Sequence, residues 1–297
     1  MLRKVCEEKG DELNIAFTRY PGHASELTQQ AVQDGAAVII AVGGDGTVNE
    51  VARSMIHTDA ILGIIPKGSG NGLARDLHIP MELRRAIDVL KGGHLSTIDC
   101  CRANGRVFFC TCGVGFDAAV SQKFAKQKRR GSLTYLRNTI EEYLSYKPEP
   151  YELLVDNQTI KEKAFLVACA NATQYGNNAF IAPQANISDG KMDVTILSPF
   201  TPLDIAPLAI QLFTKQIDRN SKIKTMKAGQ VTIIRQKPGV MHLDGEPILA
   251  DSRIDITIEP KALRVLTPEV VSFTEEVRNL FDQASRFFDK RLPYIFR

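Results

Sequence analysis

The stretch AVIIAVGGDGTVNEVA, Ala37 to Ala52, restricts the fold more than any other part of the sequence. Its first half is apolar and β-branched and reads as a buried strand; its second half has helical spacing, with Gly43, Gly44 and Gly46 at the junction. Glycines packed this densely let the backbone turn sharply and approach an anion closely, and the helix start beyond them offers unpaired N–H groups at the positive end of a dipole. A second junction of this kind follows the next strand, in IIPKGSGNGLARDL, with Gly68, Ser69, Gly70, Asn71 and Gly72. Two such turns at the ends of neighbouring parallel strands frame the crevice where open α/β sheets bind ligands. The Walker pattern is excluded, because Lys67 precedes its glycines and Gly190-Lys191 is followed by Met192. Gly113 to Ala118, GVGFDA, matches a loose dinucleotide pattern but has no βαβ unit around it.

The grammar of the chain changes near residue 98. Before it, the strand-like runs LNIAFTR, AVIIAVGG and ILGIIP alternate with helical segments, which predicts a doubly wound α/β nucleotide-binding domain over 1–98. Beyond it come the short segments STIDCCRA, RVFFCTC, YELLVDN, KAFLVACANA, KMDVTILS, QVTIIRQ and RIDITIEP, some separated by turn signals such as Asn104-Gly105. These predict a C-terminal antiparallel β-sandwich-like domain over 99–268, with helices around 132–146 and 201–214. The tail, 269–297, places Val277, Leu280, Phe281, Ala284, Phe287 and Phe288 on one helical face, which is expected to pack back on the protein body, with insertion into a membrane as the second reading.

Composition narrows the function classes. A net charge of +3 over 297 residues gives no reason to expect nucleic acid as a partner. The start MLRKVCEEKGDEL lacks the apolar core of a signal peptide, and no run of about 18 apolar residues occurs, so a cytoplasmic chain that spans nothing is expected. The six cysteines lack CxxC spacing and lie in apolar surroundings; they read as reduced core residues, with Cys110 and Cys112 facing one way along a strand. The basic run KFAKQKRR, Lys123 to Arg130, reads first as a solvated loop and second as a dock for anionic headgroups.

The motifs GGDGTVNEV at Gly43, PKGSGNGLA at Pro66, GVGFDA at Gly113, ISDGKMDV at Ile187 and LDGEP at Leu243, in that order, resemble the diacylglycerol kinase catalytic superfamily, which includes bacterial lipid kinases and sphingosine kinases. The resemblance implies an ATP-dependent lipid kinase that works transiently at the inner face of the membrane, with a lipid substrate such as diacylglycerol or a sphingoid base as its partner and a homodimer as an expected assembly. It assigns ATP to Gly43, Gly44, Asp45, Gly46, Thr47, Val48 and Asn49, to Gly68, Ser69, Gly70 and Asn71, and to Thr18 at the end of the strand LNIAFT. Glu246 takes the role of proton acceptor, with Asp244 beside it as base or metal-linked partner. Residue chemistry agrees, since a hydroxyl must lose its proton as the phosphoryl group arrives and a carboxylate within reach can accept it.

Magnesium is the expected second cofactor, with Asp45 and Asp117 as candidate holders near the phosphates. The resemblance also implies a structural magnesium site from the Asn186 and Lys191 carbonyls and the Asp189 side chain. Two departures stand out. The family opens with a strand and an Asn-Pro loop ahead of the first helix, where this sequence begins inside that helix; and Gly72 stands where many bacterial members carry Asp, closer to the sphingosine kinase form. The rival readings are phosphorylation of a soluble dinucleotide in the manner of NAD kinase and a catalytically silent lipid-binding regulator.

Overall fold

The computed structural model describes residues 3, 6, 7, 10–125 and 146–269. The described chain up to Thr267 forms one compact unit. Nearly all of the helix expected around 132–146, the whole of the one expected over 272–290, and most of the basic run lie outside the described residues.

Strand β1 (Val38–Gly43) runs parallel to β2 (Ile61–Pro66), and helix α2 (Asp45–Met55) crosses between them after α1 (His23–Gln33). Two short helices follow β2: α3 (Gly72–Asp76) and α4 (Leu83–Gly92). Ala41, Leu62 and Ile64 pack with α1 and α2 on one face of this sheet, while Ile40 and Ile65 meet Ile87 and Leu90 of α4 on the other. Side chains that alternate along a strand need cover on both faces, and this gives the doubly wound arrangement.

Among the described residues, eleven antiparallel strands and two helices follow: β3 (His94–Ala103), β4 (Arg106–Phe108), β5 (Thr111–Gly115), α5 (Phe116–Ala125), β6 (Glu149–Val155), β7 (Gln158–Ala164), β8 (Leu166–Ala170), β9 (Met192–Leu197), α6 (Ile205–Phe213), β10 (Ile223–Ala228), β11 (Gln230–Arg235), β12 (Gly239–Leu243) and β13 (Glu246–Ala250), before the long β14 (Arg253–Thr267). One sheet has the order β1-β2-β14-β11-β6-β7, with β3 on β14 and β4 on β3; the other has the order β10-β9-β8-β5-β12-β13. Their facing side chains, among them Phe108, Leu153, Met192, Ile196, Ile233 and Ile256, form the sandwich core.

Strand β14 joins the two halves. Its end pairs in parallel with β2 at Arg264 and Val265, and its start pairs antiparallel with β11. A register shift against β3 between Glu259 and Leu263, where Lys261 has φ 54°, bends the strand so that it serves both partners.

Two expectations need correction. No strand forms over 11–19: LNIAFTR has the right alternation but, among the described residues, neither a ladder partner nor a burying face, and Phe17 is 82% exposed. Strand propensity expresses a fit to a half-buried pleat, and here nothing supplies one. Cys110 and Cys112 do not share a face either; Cys110 precedes β5 and packs under the α/β half, and Cys112 lies in the sandwich core. Burial pushes both thiols up, leaving them inert.

Candidate active site

The two glycine turns touch each other. Gly43 pairs with Pro66 in the β1–β2 register, and Lys67 N–H donates to Gly43 O at 2.7 Å, so both strands end at the same level. A Cβ placed on Gly68 would lie 2.6 Å from Gly44 Cα, which only glycine permits. The Asp45 carboxylate fastens the turns together by accepting from the backbone N–H of Asn71 (2.9 Å) and of Gly72 (2.6 Å). Asn71, at φ 51°, closes its own turn, accepting from Gly68 N–H at 2.9 Å and donating to Gly68 O at 2.7 Å.

The first intrahelical bond of α2 runs from Val48 N–H to Gly44 O at 3.0 Å. The N–H groups of Asp45, Gly46 and Thr47 precede it and face out of the helix start, as an anion site requires. Val48 and Asn49 point inward and are buried, so within the motif they serve packing. Glu50 caps the other helix of the layer, accepting from Gly22 N–H (2.8 Å) and Ala24 N–H (3.1 Å). Ser69 is exposed at the rim, whereas Thr18 sits in the irregular run 11–19 and not at a strand end.

Opposite the α2 start stands the β12–β13 turn. Asp244 (φ 50°) and Gly245 (φ 82°) make it a tight mirror-image hairpin, as the Asp-Gly pair suggests. The two acids it carries do different things. Asp244 turns inward and accepts from the N–H groups of Phe109 (3.0 Å), Cys110 (2.7 Å) and Thr111 (3.0 Å). Burial raises its pKa, and the three N–H donors only partly offset this. Asp244 is therefore the anchor of the turn, a different role from the base or metal partner that the resemblance implies. Glu246 points outward, half-exposed, with Oε1 3.8 Å from where a Cβ on Gly46 would stand and Oε2 3.7 Å from Arg53 Nη1. Gly46 and Arg53 are seven residues apart on α2, so one helix face presents both to Glu246.

Behind the turn lies a cluster that the motifs do not announce. Asp117, at the start of α5, accepts from Tyr175 Oη–H at 2.9 Å, from its neighbour Ala118 N–H at 2.8 Å, and pairs with His242 Nε2 at 3.1 Å. His242 Nδ1 in turn accepts from Gly245 N–H at 3.4 Å, so Asp117 fixes the hairpin from beneath. The loop carrying Tyr175 also reaches the second glycine turn, through Asn177 N–H to Gly70 O at 3.2 Å. Tyr175, His242 and Arg53 are absent from the expected set; the i, i+7 spacing of Gly46 and Arg53 is the one signal that precedes the structure.

The carboxylate expected to hold a structural magnesium is engaged with protein donors. Asp189 Oδ1 accepts from Lys191 N–H at 3.0 Å, and its Oδ2 is held by Lys227 Nζ at 3.0 Å. Lys227 also reaches Asp193 Oδ2 at 2.9 Å and the Gln184 carbonyl at 3.3 Å, and the Asn186 carbonyl faces Asp189 N–H at 3.3 Å. The Lys227 ammonium takes the carboxylate expected to hold magnesium, bringing one positive charge where that ion brings two. Asp45 and Asp117 likewise aim their oxygens at protein donors, and among the described residues no three His, Cys, Asp or Glu side chains are grouped as metal ligands.

Comparison with known proteins follows this division of labour. Residues 1–103 match the model of the diacylglycerol kinase catalytic domain, and residues 110–267 match that of the YegS C-terminal NAD kinase beta sandwich-like domain. The chain is 28% identical over 271 residues to the lipid kinase YegS of Escherichia coli, covering 89% of each chain. It is 26% identical over 251 residues to an uncharacterized protein of Synechocystis, of whose length it spans 58%. A crystal structure of a diacylglycerol kinase from Bacillus anthracis shares the fold, with a TM-score of 0.68 at 20% identity, over 91% of this chain and 93% of that one. With one family model matching more than half of its length and a second matching the glycine-turn domain, the chain belongs to the diacylglycerol kinase catalytic superfamily.

Proposed function

We propose that the protein transfers the γ-phosphoryl group of ATP to a hydroxyl of a lipid presented at a membrane surface. The observation that carries this reading is Glu246, an exposed carboxylate set across from the open N–H groups at the start of α2. The glycine turns and these N–H groups hold the triphosphate, and Glu246 takes the acceptor's proton. The acceptor oxygen bonds to the γ-phosphorus while the bridging P–O bond breaks and ADP leaves. Asp244 holds the hairpin that carries Glu246, and Arg53 offers positive charge beside the transferring group.

A membrane-borne acceptor is supported by the relatives' names and by the surface. Leu203, Ile205, Ile210 and Phe213, in and just before α6, expose large apolar side chains, with Leu203 88% exposed. Solvent-facing apolar residues grouped this way suit contact with an acyl boundary. No helix of the described residues is long and apolar enough to cross a membrane.

The deciding experiment incubates the protein with radiolabelled ATP and either mixed micelles of a lipid panel or NAD. Label extracting with lipid is expected. Label entering only the dinucleotide would replace the reading with a soluble kinase.

A further inference from the structure

The loop over residues 173–179 is wedged between the second glycine turn and the β12–β13 hairpin. On the turn side, Asp76 of α3 accepts from Thr173 N–H (2.8 Å) and Thr173 Oγ1–H (2.5 Å), and Gly70 O accepts from Asn177 N–H (3.2 Å) and Arg75 Nε (2.9 Å). The two backbones also touch. A Cβ on Gly176, at φ 114°, would stand 3.4 Å from Gly70 Cα, and one on Gly72 would stand 3.3 Å from Tyr175 O. Only a residue tolerant of that φ lets the loop lie so close to the turn.

On the hairpin side the contact is a single side chain. Tyr175 Oη–H donates to Asp117 Oδ2 at 2.9 Å, and its ring meets the His242 ring edge-on with centroids 5.7 Å apart. His242 Nε2 lies 3.1 Å from the same Asp117 oxygen. A carboxylate accepts and Gly245 N–H donates, so the imidazole carries its proton on Nε2 and offers Nδ1 to Gly245 at 3.4 Å. His242 is 1% exposed, and a Cβ on Gly113 would collide with both Asp117 Oδ2 and His242 Nε2. Packing this close leaves these side chains one arrangement.

We infer that Tyr175 is a positioning residue for phosphoryl transfer: through Asp117 and His242 it sets the hairpin, and with it Glu246, against the glycine turn on which its own loop rests. The inference rests on the phosphoryl-transfer reading above, which gives Glu246 its role. Asp244 ties the hairpin to the chain entering β5. Tyr175 adds a tie to the nucleotide side, so the phosphate cradle and the proton acceptor are held by one continuous set of hydrogen bonds. A misplacement of about 1 Å at a reacting centre costs on the order of a hundredfold in rate, so such a tie matters to turnover.

The test compares Tyr175→Phe, which deletes the hydroxyl and keeps the ring, with the wild type in the full chain. Label from radiolabelled ATP is followed into mixed micelles of dioleoylglycerol, sphingosine and phosphatidylglycerol. Tyr175→Phe should lower kcat about tenfold, the scale of one hydrogen bond to a charged acceptor, and leave the KM for ATP within about twofold. The same change is then made in Glu246→Gln, whose slow transfer is read with enzyme in excess over labelled ATP. There it should cost nothing further, because a residue that acts only through Glu246 has nothing left to position. His242→Gln, whose amide nitrogen still faces Asp117 while the acceptor for Gly245 is lost, should behave in the same way and provides a second variant. A tenfold loss in both backgrounds, or wild-type kcat in Tyr175→Phe, overturns the inference and leaves the lipid kinase reading intact. No label from the wild type removes both.

Discussion

The paired glycine turns and the Asn186 to Lys191 turn carry the same kind of sequence signal, a glycine-containing loop next to a carboxylate, yet they end in opposite states. The glycine turns leave backbone donors open: Asp45 consumes two N–H groups to lock them together, and those at the start of α2 remain for an incoming anion. The Asn186 to Lys191 turn is closed, because Lys227 reaches in from β10 and satisfies Asp189 and Asp193 with one ammonium. A loop motif shows where charge gathers; a side chain from a distant strand decides whether a ligand is still needed there.

The largest test of the contrast is Glu246→Gln. If the open turns are the reacting centre, this change should lower kcat by about 10²- to 10⁴-fold with ATP affinity nearly unchanged, as expected for loss of a general base. Full turnover in a steady-state assay would strip Glu246 of that role. Asp45→Ala removes the acceptor of two backbone N–H groups, and chemical denaturation should register a loss of about 3 kcal/mol together with weaker nucleotide binding. Gly68→Ala drives a Cβ against Gly44 Cα; overpacking of this kind costs about 1–3 kcal/mol, and isothermal titration with ATP should show weakened affinity.

The smallest effects belong to the closed turn. If the Lys227 ammonium alone neutralises Asp189, EDTA should leave the melting temperature within about 1 °C of its untreated value; for Lys227→Met a fall of a few degrees is expected, on the scale of one lost hydrogen-bonded charge. Burial pulls the Lys227 pKa down, but its hydrogen bonds to Asp193 and Asp189 outweigh this and leave it raised. The folded value then lies above the unfolded one, so the stabilisation is complete below about pH 10.5 and drains away as pH climbs further. The stability difference between wild type and Lys227→Met should therefore narrow above that pH. A chelator-induced fall in melting temperature would show that the turn is an ion site after all.

Much of the architecture was readable before the structure. Glycines flanked by an apolar run and a helical pattern have few backbone solutions, and β1, α2 and β2 adopt the expected one. The hairpin at Asn104-Gly105 and the helix beginning at Ile205 follow the same local logic. Reading failed where the answer depended on a partner. LNIAFTR has strand alternation and, among the described residues, no strand beside it. Asp244 and Glu246, identical in chemistry and two residues apart, separate into anchor and candidate base because the hairpin aims one at three backbone donors and the other at α2.

The sequence by itself determined the local pieces, namely the two glycine turns, the Asp-Gly hairpin and the alternating strands, because φ/ψ restrictions and side-chain periodicity act over a few residues. Only the tertiary structure decided the assembly. It made β14 a strand common to both halves, set Gly44 against Gly68, laid Arg53 beside Glu246 and filled the Asp189 turn with Lys227. These contacts join residues far apart in the chain, and their energies come from burial and charge pairing that exist only after the sheets have closed over the core.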